Sequence, residues 1–473
     1  MHRTTGRKPR WSAIWACLAL LSASALAEEL DRSIQAAPIG QWTGWRNRGN
    51  LLGDMGGLRT ALGRDGITLG ITETSEYLGN VSGGVQHGFY YDGLTTVTLG
   101  VDAARAFGIA DGSFNISALH VHGSNLSALN LNTLQTASGI EADRGARLWE
   151  LWYQQGFLNN HVDLKLGQQS IDQEFMVSQY SGLFVNTMMG WPAVPSYDMP
   201  AGGPAYPMSA VGARLRVRPT GALTLLTGVY DGDPTAAGDG NKHGTAFSLH
   251  GGALWVTELQ YSNQPSDGAV ESGDQVSSSL PGTYKLGFWY HNASFADQRW
   301  GVDGRSLADP ASQGAAEQHR GNYSVYAVAD QLVWEDKPGS QQGLGVFARA
   351  MAAPGDRNQL SFSINTGLVL KEPFQGRDND SVGLGLGYAR VGSGARALDR
   401  DAVQFSGVNT PVRSGETFVE ATYQYQVNPW WQVQGDVQYV VNPGAGIVNP
   451  NNASGTQKIG NELVLGVRTN ISF

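Results

Sequence analysis

The last eleven residues, from Leu463 to Phe473, alternate without interruption: Leu463, Leu465, Val467, Thr469, Ile471 and Phe473 face one way and Val464, Gly466, Arg468, Asn470 and Ser472 the other. A period of two means a strand with one apolar and one polar side. Sixteen segments share this pattern: 66–78, 92–105, 113–123, 145–155, 161–169, 208–218, 222–231, 252–262, 282–292, 320–335, 342–352, 358–370, 379–391, 415–427, 430–441 and 457–473. Most approach the ~9–11 residues that a tilted membrane-spanning strand requires. Connections after odd-numbered segments run long (124–144, 170–207, 232–251, 293–319, 392–414, 442–456), whereas most after even-numbered ones are tight, such as 156–160, 219–221 and 428–429. Short turns on one rim and long loops on the other predict a transmembrane β-barrel. The connection 263–281 is long where a tight turn is expected. An even count brings the first strand beside the last, so the ring closes with no free edge.

A soluble β-sandwich shows the same period with its faces exchanged. Two features favour the barrel. Glycines such as Gly83, Gly100, Gly167, Gly287, Gly345, Gly383, Gly385 and Gly387 are spread through strands and loops, and Gly totals 63 of 473 residues, about twice the usual ~7%. Aromatics also gather at strand ends (Trp45, Tyr230, Trp255, Tyr261, Tyr290, Tyr323, Trp334, Tyr425, Trp430, Trp431), as interfacial girdles do. The apolar set, including Trp149, Leu151 and Tyr153, or Tyr284, Leu286, Phe288 and Tyr290, is therefore expected to meet lipid, and the set carrying the ions to line the lumen.

Residues 1–27 place Arg3, Arg7, Lys8 and Arg10 before an apolar run and end in Ala25-Leu26-Ala27, as a secretory signal cleaved near Ala27 does. The only cysteine, Cys17, lies inside it. Its removal takes four basic residues and no acidic ones, moving the formal charge from −9 to −13, which disfavours nucleic acid as a partner. No later stretch reaches the ~20 apolar residues of a membrane helix. Residues 28–65 read as an N-terminal segment, with a short helix over 54–64 that Asp54 caps and Gly63 ends, and 66–473 as the barrel. Beyond Gly66 no helix longer than three turns is predicted.

Sixteen strands enclose a lumen too wide for wall side chains to fill. The longest loop, 170–207, rich in aromatics, Met and Pro, is expected to fold inward and narrow it. His120 and His122 share a strand face without a third ligand nearby, so no metal and no cofactor is predicted. "GLGLGYAR" (383–390) lacks the strand-to-helix context of a phosphate loop and reads as strand. No Ser stands beside a His on one outward face, so no catalytic residues are predicted and an enzyme is not expected.

Several ordered blocks, among them "WTGWRNRGNLLGDMGGLRTALGRDGITL", "RLWELWYQQGFLNNHVDLKLGQQ", "FVNTMMGWP", "PGTYKLGFWYH", "YAVADQLVW" and "ETFVEATYQYQVNPWWQVQGDVQYVVNPG" with the closing "LGVRTNISF", resemble the carbohydrate-selective porins of the OprB family over about residues 42–473. The resemblance implies a sixteen-stranded antiparallel barrel of the bacterial outer membrane. Through it glucose and other small sugars would diffuse passively into the periplasm. It also implies outer-membrane lipid and lipopolysaccharide as neighbours, the barrel-assembly machinery as the reader of the terminal Phe473, and a monomer or a homotrimer. The alternative is a general or anion-selective porin, for instance for phosphate.

A sugar needs aromatic planes for its C–H face and mixed donors and acceptors for its hydroxyls, held weakly enough for release. The expected substrate pathway comprises Arg147, Glu150, Lys165, Arg214, Arg216, Glu258, Lys285, Arg349, Glu420, Asp436 and Arg468, with Trp152, Trp191, Trp289 and Tyr197 as stacking surfaces. The row Arg214, Arg216, Arg218 puts like charges on one face, which repel unless acids or an anionic solute neutralise them.

Overall fold

The computed structural model describes residues 44–236, 239–263, 280–337 and 340–473; the signal segment 1–27 and most of the connection 263–281 lie outside them. Its sixteen strands are β1 (Ile67–Ser82), β2 (Gly88–Asp102), β3 (Gly112–Gly123), β4 (Gly145–Phe157), β5 (Val162–Gln169), β6 (Ala210–Val217), β7 (Leu223–Asp231), β8 (Ala253–Ser262), β9 (Gly282–Gly301), β10 (Ala316–Glu335), β11 (Gly343–Ala352), β12 (Leu360–Lys371), β13 (Ser381–Val391), β14 (Gly415–Asn428), β15 (Trp431–Val441) and β16 (Glu462–Ser472). Each pairs antiparallel with its neighbours, and β1 closes on β16 from Thr72↔Ser472 to Ser82↔Leu463. Sixteen alternating segments thus become sixteen strands, as the period of two requires.

The N-terminal segment braces this seam. Its helix, Leu58–Arg64, follows a turn through Gly56 (φ 70°) and Gly57 (φ 97°), and Asp54 reaches past Gly57 at the N-cap to accept from the first-turn amide Thr60 N at 2.8 Å. Arg59 donates to the carbonyls of Leu69 and Phe473, Leu51 N to Ser472 O at 2.8 Å, and Trp430 Nε1 to Trp45 O at 2.8 Å.

Three sequence expectations are corrected. The loop 293–319 is about half strand, because β9 and β10 run on to Gly301 and from Ala316 as a projecting hairpin. The loop 392–414 carries a 14-residue helix, Ser393–Ser406, longer than three turns. Its apolar residues Ala395, Leu398, Ala402 and Phe405 recur at helical spacing, only Ala395 and Asp401 are buried, and ion pairs help hold it: Arg299 to Asp401 at 2.8 Å and Arg413 to Asp399 at 2.8 Å. Hydrogen bonding to Arg299 keeps the Asp401 carboxyl below its ordinary pKa. Third, Trp149 does not meet lipid. The β3–β4 ladder skips it, pairing Ser117 with Glu150 but Ala118 with Leu148, and such a bulge puts two successive residues on one side. Trp149 is buried inside, edge-on to Tyr206.

Tyr230, expected in an interfacial girdle, is likewise buried inside, edge-on to Phe175 of the inward loop; at most other positions the faces divide as expected. Tyr284, Leu286, Phe288 and Tyr290 are exposed on the outer wall while Trp289 and His291 are buried within. Outward Ala327, Ala329, Ala348 and Ala350 leave a shallow groove of about 470 Å³ flanked by Leu259 and Leu286. It faces lipid, not the lumen.

Candidate functional site: a lumen narrowed by two inward loops

Loop 170–207 folds into the barrel, burying Ile171, Phe175, Met176, Leu183, Phe184, Met188, Met189 and Val194 in one apolar cluster with inner-wall residues such as Val256, Trp289, Phe347 and Phe418. Inner-wall glycines make the room. A Cβ on Gly345 would sit 2.1 Å from the Tyr180 ring, one on Gly383 3.0 Å from Phe184, and one on Gly385 2.6 Å from Met189. The "GLGLG" run is a trough for this loop. The sequence reading missed that loop 124–144 folds in as well, burying Leu126, Leu131, Leu134, Ala137 and Ile140.

Turning a chain back into a closed ring leaves its backbone N–H and C=O groups without ladder partners. Wall side chains supply them. Glu258 accepts from Met176 N (2.8 Å), Asp330 from Gln179 N (3.2 Å), Glu420 from Val185 N (2.5 Å) and Asn186 N (3.2 Å), Glu150 from Ser170 N (3.1 Å), and Glu416 from Leu134 N (2.8 Å), Gln135 N (2.7 Å) and Gly444 N (2.6 Å). Arg349 donates to the carbonyls of Met176 (2.8 Å), Met188 (2.5 Å), Met189 (3.0 Å) and Gly190 (2.8 Å), and Lys285 to that of Val177 (2.7 Å). Arg468 pairs with Glu76 and reaches Val185 O at 3.4 Å.

Six of the fifteen residues expected along the pathway, Glu150, Glu258, Lys285, Arg349, Glu420 and Arg468, therefore hold loop backbone. Trp289 is fully buried in the apolar cluster. Trp191 donates to Gly202 O (2.9 Å) and Tyr197 to Leu134 O (2.8 Å), so these two aromatics pack the loops. Arg147 lies against Met208, and Asp436 accepts from Gln438 at 2.9 Å.

The remaining four, Trp152, Lys165, Arg214 and Arg216, meet on β4–β6. Asp163 binds both Arg214 and Arg216, and Glu174 from the loop binds Lys165 and Arg214. The Lys165 ammonium lies 4.4 Å from the centroid of the Trp152 ring. Burial alone raises the Glu174 carboxyl, but Lys165 and Arg214 outweigh it and hold it down at about 2. Arg214 and Arg216 of the arginine row are thus paired by Asp163 and Glu174, neither of which the sequence singled out. Asp163 was visible as an inward position on β5; Glu174 sits in a loop with no period to mark it.

Glu141 behaves oppositely. Burial pushes its carboxyl from 4.5 up to about 7, against the Ser127 N–H it accepts at 3.1 Å. A raised acid stabilises the folded loop below pH ~4.5, and that contribution is lost as pH rises through about 7. Amide exchange in 124–144 should therefore quicken between pH 5 and about 7, and Glu141→Gln should flatten the dependence; equal profiles for both proteins would contradict this.

Residues 86–473 match the family model described as carbohydrate-selective porin, OprB family. Porin B of Pseudomonas aeruginosa is 26% identical over 97% of both chains. The high-pH structure of Pseudomonas putida OprB superposes with a TM-score of 0.79 at 23% identity, covering 90% of this chain and 99% of that one; the low-pH structure of the same protein gives 0.53. With a barrel whose apolar face is turned outward and whose lumen is narrowed by two loops, the chain belongs to the carbohydrate-selective porin, OprB family.

Proposed function

We propose that small sugars cross this outer-membrane porin beside the β4–β6 cluster, where Trp152 offers its ring to the C–H face, Lys165 and Arg216 donate to hydroxyls, and Glu174 accepts. The observation that carries the reading is the pairing of three cations, Arg214, Arg216 and Lys165, with two carboxylates, Asp163 and Glu174, beside an aromatic plane. Such a surface offers many hydrogen bonds with most of its charge compensated, which suits a neutral polyol better than a bare arginine row would. Arg216 and Glu174 keep 24% and 20% of their side chains exposed, so the cluster is reachable from the lumen. The anion-selective alternative needs an uncompensated arginine row, and Asp163 argues against it.

Trp152→Ala should slow glucose entry into swelling liposomes by several fold while leaving ion conductance nearly unchanged, because only the stacking plane is lost. Unaltered glucose entry would remove Trp152 from the pathway. The same reading includes export by the signal at 1–27 with cleavage near Ala27, insertion by the barrel-assembly machinery through the closing strand, and lipopolysaccharide as the outer-leaflet neighbour.

A further inference from the structure

Among the charges of the β4–β6 cluster, Glu174 is the one that the wall does not carry. Asp163 and Lys165 stand on β5 and Arg214 and Arg216 on β6, where the ladder fixes their direction. Glu174 instead follows a single 3-10 turn at the start of loop 170–207, Ile171–Gln173, and its own backbone (φ −130°, ψ −35°) has left the helical region. A carboxylate on an untethered loop loses conformational freedom when it docks on a cation, so a tether elsewhere in the loop strengthens the pair.

Asp172 is placed to be that tether. Its Oδ1 accepts from Ser170 Oγ (2.6 Å) and Gln173 Nε2 (3.0 Å), and its Oδ2 from Tyr206 N (2.9 Å), 34 residues further along the chain. One carboxylate thus joins the first turn of the loop to its last. Ile171 N donates to Pro204 O (2.7 Å) in parallel, and Ser170 Oγ lies 3.2 Å from Met208 O. This closed neck is fastened on two sides: Ser170 N donates to Glu150 on β4 (3.1 Å), and Tyr206 Oη to Ile140 O of loop 124–144 (2.8 Å). Two residues beyond Asp172, Glu174 meets Lys165 and, at 2.9 Å, Arg214 Nη2, and Phe175 after it is buried edge-on to Tyr230. The partners of Asp172 itself are a hydroxyl and two amides, so it serves the loop and not the cations.

We propose that Asp172 is a positioning residue of the channel: by closing the neck of loop 170–207 it presents Glu174 to Lys165 and Arg214, and so sets the charge that a passing solute meets. The proposal rests on the reading of β4–β6 as the pathway and names the residue that keeps its second carboxylate in place. Supporting groups of this kind hold a binding constellation in register without touching the solute. Once the clamp is cut, the first turn relaxes and Glu174 withdraws, leaving Lys165, Arg214 and Arg216 with Asp163 alone. Anions then gain at the cluster, and a neutral sugar loses an acceptor.

The test is a double-mutant cycle read as ion selectivity in planar bilayers. Glu174→Gln should raise the anion-to-cation permeability ratio severalfold and let phosphate block. Asp172→Ala should move both in the same direction, and the double variant should go no further than Glu174→Gln, because the carboxylate that Asp172 presents is already gone. Additive shifts overturn the proposal, since Asp172 would then act through its own charge. So does wild-type selectivity in Asp172→Ala where Glu174→Gln has shifted it. No shift in Glu174→Gln itself is a different result: it removes the cluster from the path, and the proposal falls together with the functional reading. Should Asp172→Ala fail to fold, the same cycle is run with Asp172→Asn, which keeps the shape but sets an amide donor or a single acceptor against three donors. Its shift should vanish over Glu174→Gln; a shift that persists there, or none over the wild type, overturns the proposal.

Discussion

Replacing Arg349 by Met should open the channel: conductance rises severalfold and glucose no longer reduces it. The guanidinium is buried and binds four loop carbonyls, those of Met176, Met188, Met189 and Gly190, from one point on β11. Met fills similar volume yet donates nothing. A hydrogen bond to a charged group is worth roughly 1.5–3 kcal/mol, and carbonyls left buried without partners add a comparable penalty. The barrel ladder does not use the side chain, so the loop, not the ring, takes the loss. Heat-modifiable migration should therefore be retained while conductance climbs. Wild-type conductance in this variant would mean that apolar packing against the Gly383–Gly385 trough suffices to hold the loop.

Asp163→Asn should convert a sugar-tolerant cluster into an anion site. Asp163 is buried between Arg214 and Arg216, and its loss leaves three cations facing the single carboxylate of Glu174. One added positive charge about 4 Å from a solute is worth between ~1 kcal/mol in water and ~4 kcal/mol near a protein surface, so anion occupancy should rise at least about fivefold. Stripping one partner from a buried pair also costs about 3–5 kcal/mol of local stability. Reversal potentials should shift toward anions and phosphate should begin to block. An unchanged ion selectivity would show that the β4–β6 cluster lies off the conducting path.

The barrel was legible because lipid and lumen impose opposite demands on alternate residues, and sixteen repetitions of that contrast survive local noise. Loop placement followed from length alone. What the pattern could not carry were features that depend on contacts distant in sequence. Trp149 reads as lipid-facing from parity, and only the bulge opposite Ser117 turns it inward. The helix Ser393–Ser406 was passed over as loop although Ala395, Leu398, Ala402 and Phe405 recur at helical spacing, and the ion pairs to Arg299 and Arg413 that hold it come from outside the helix. Inward Glu258, Arg349 and Glu420 were readable as lumen-facing ions, but whether such an ion meets a solute or a loop amide is decided by how the loops fold. The sequence marked loop 170–207 as inward by its aromatics and gave no comparable mark to loop 124–144, whose scattered leucines share no period.

The most direct measurement is single-channel conductance of the wild type in planar bilayers, titrated separately with glucose and with phosphate. If the polar set lines a lumen narrowed by loop 170–207 and its arginines are paired at β4–β6, glucose lowers the conductance in a saturable way and phosphate leaves it unchanged. Block by phosphate with indifference to glucose would contradict that account.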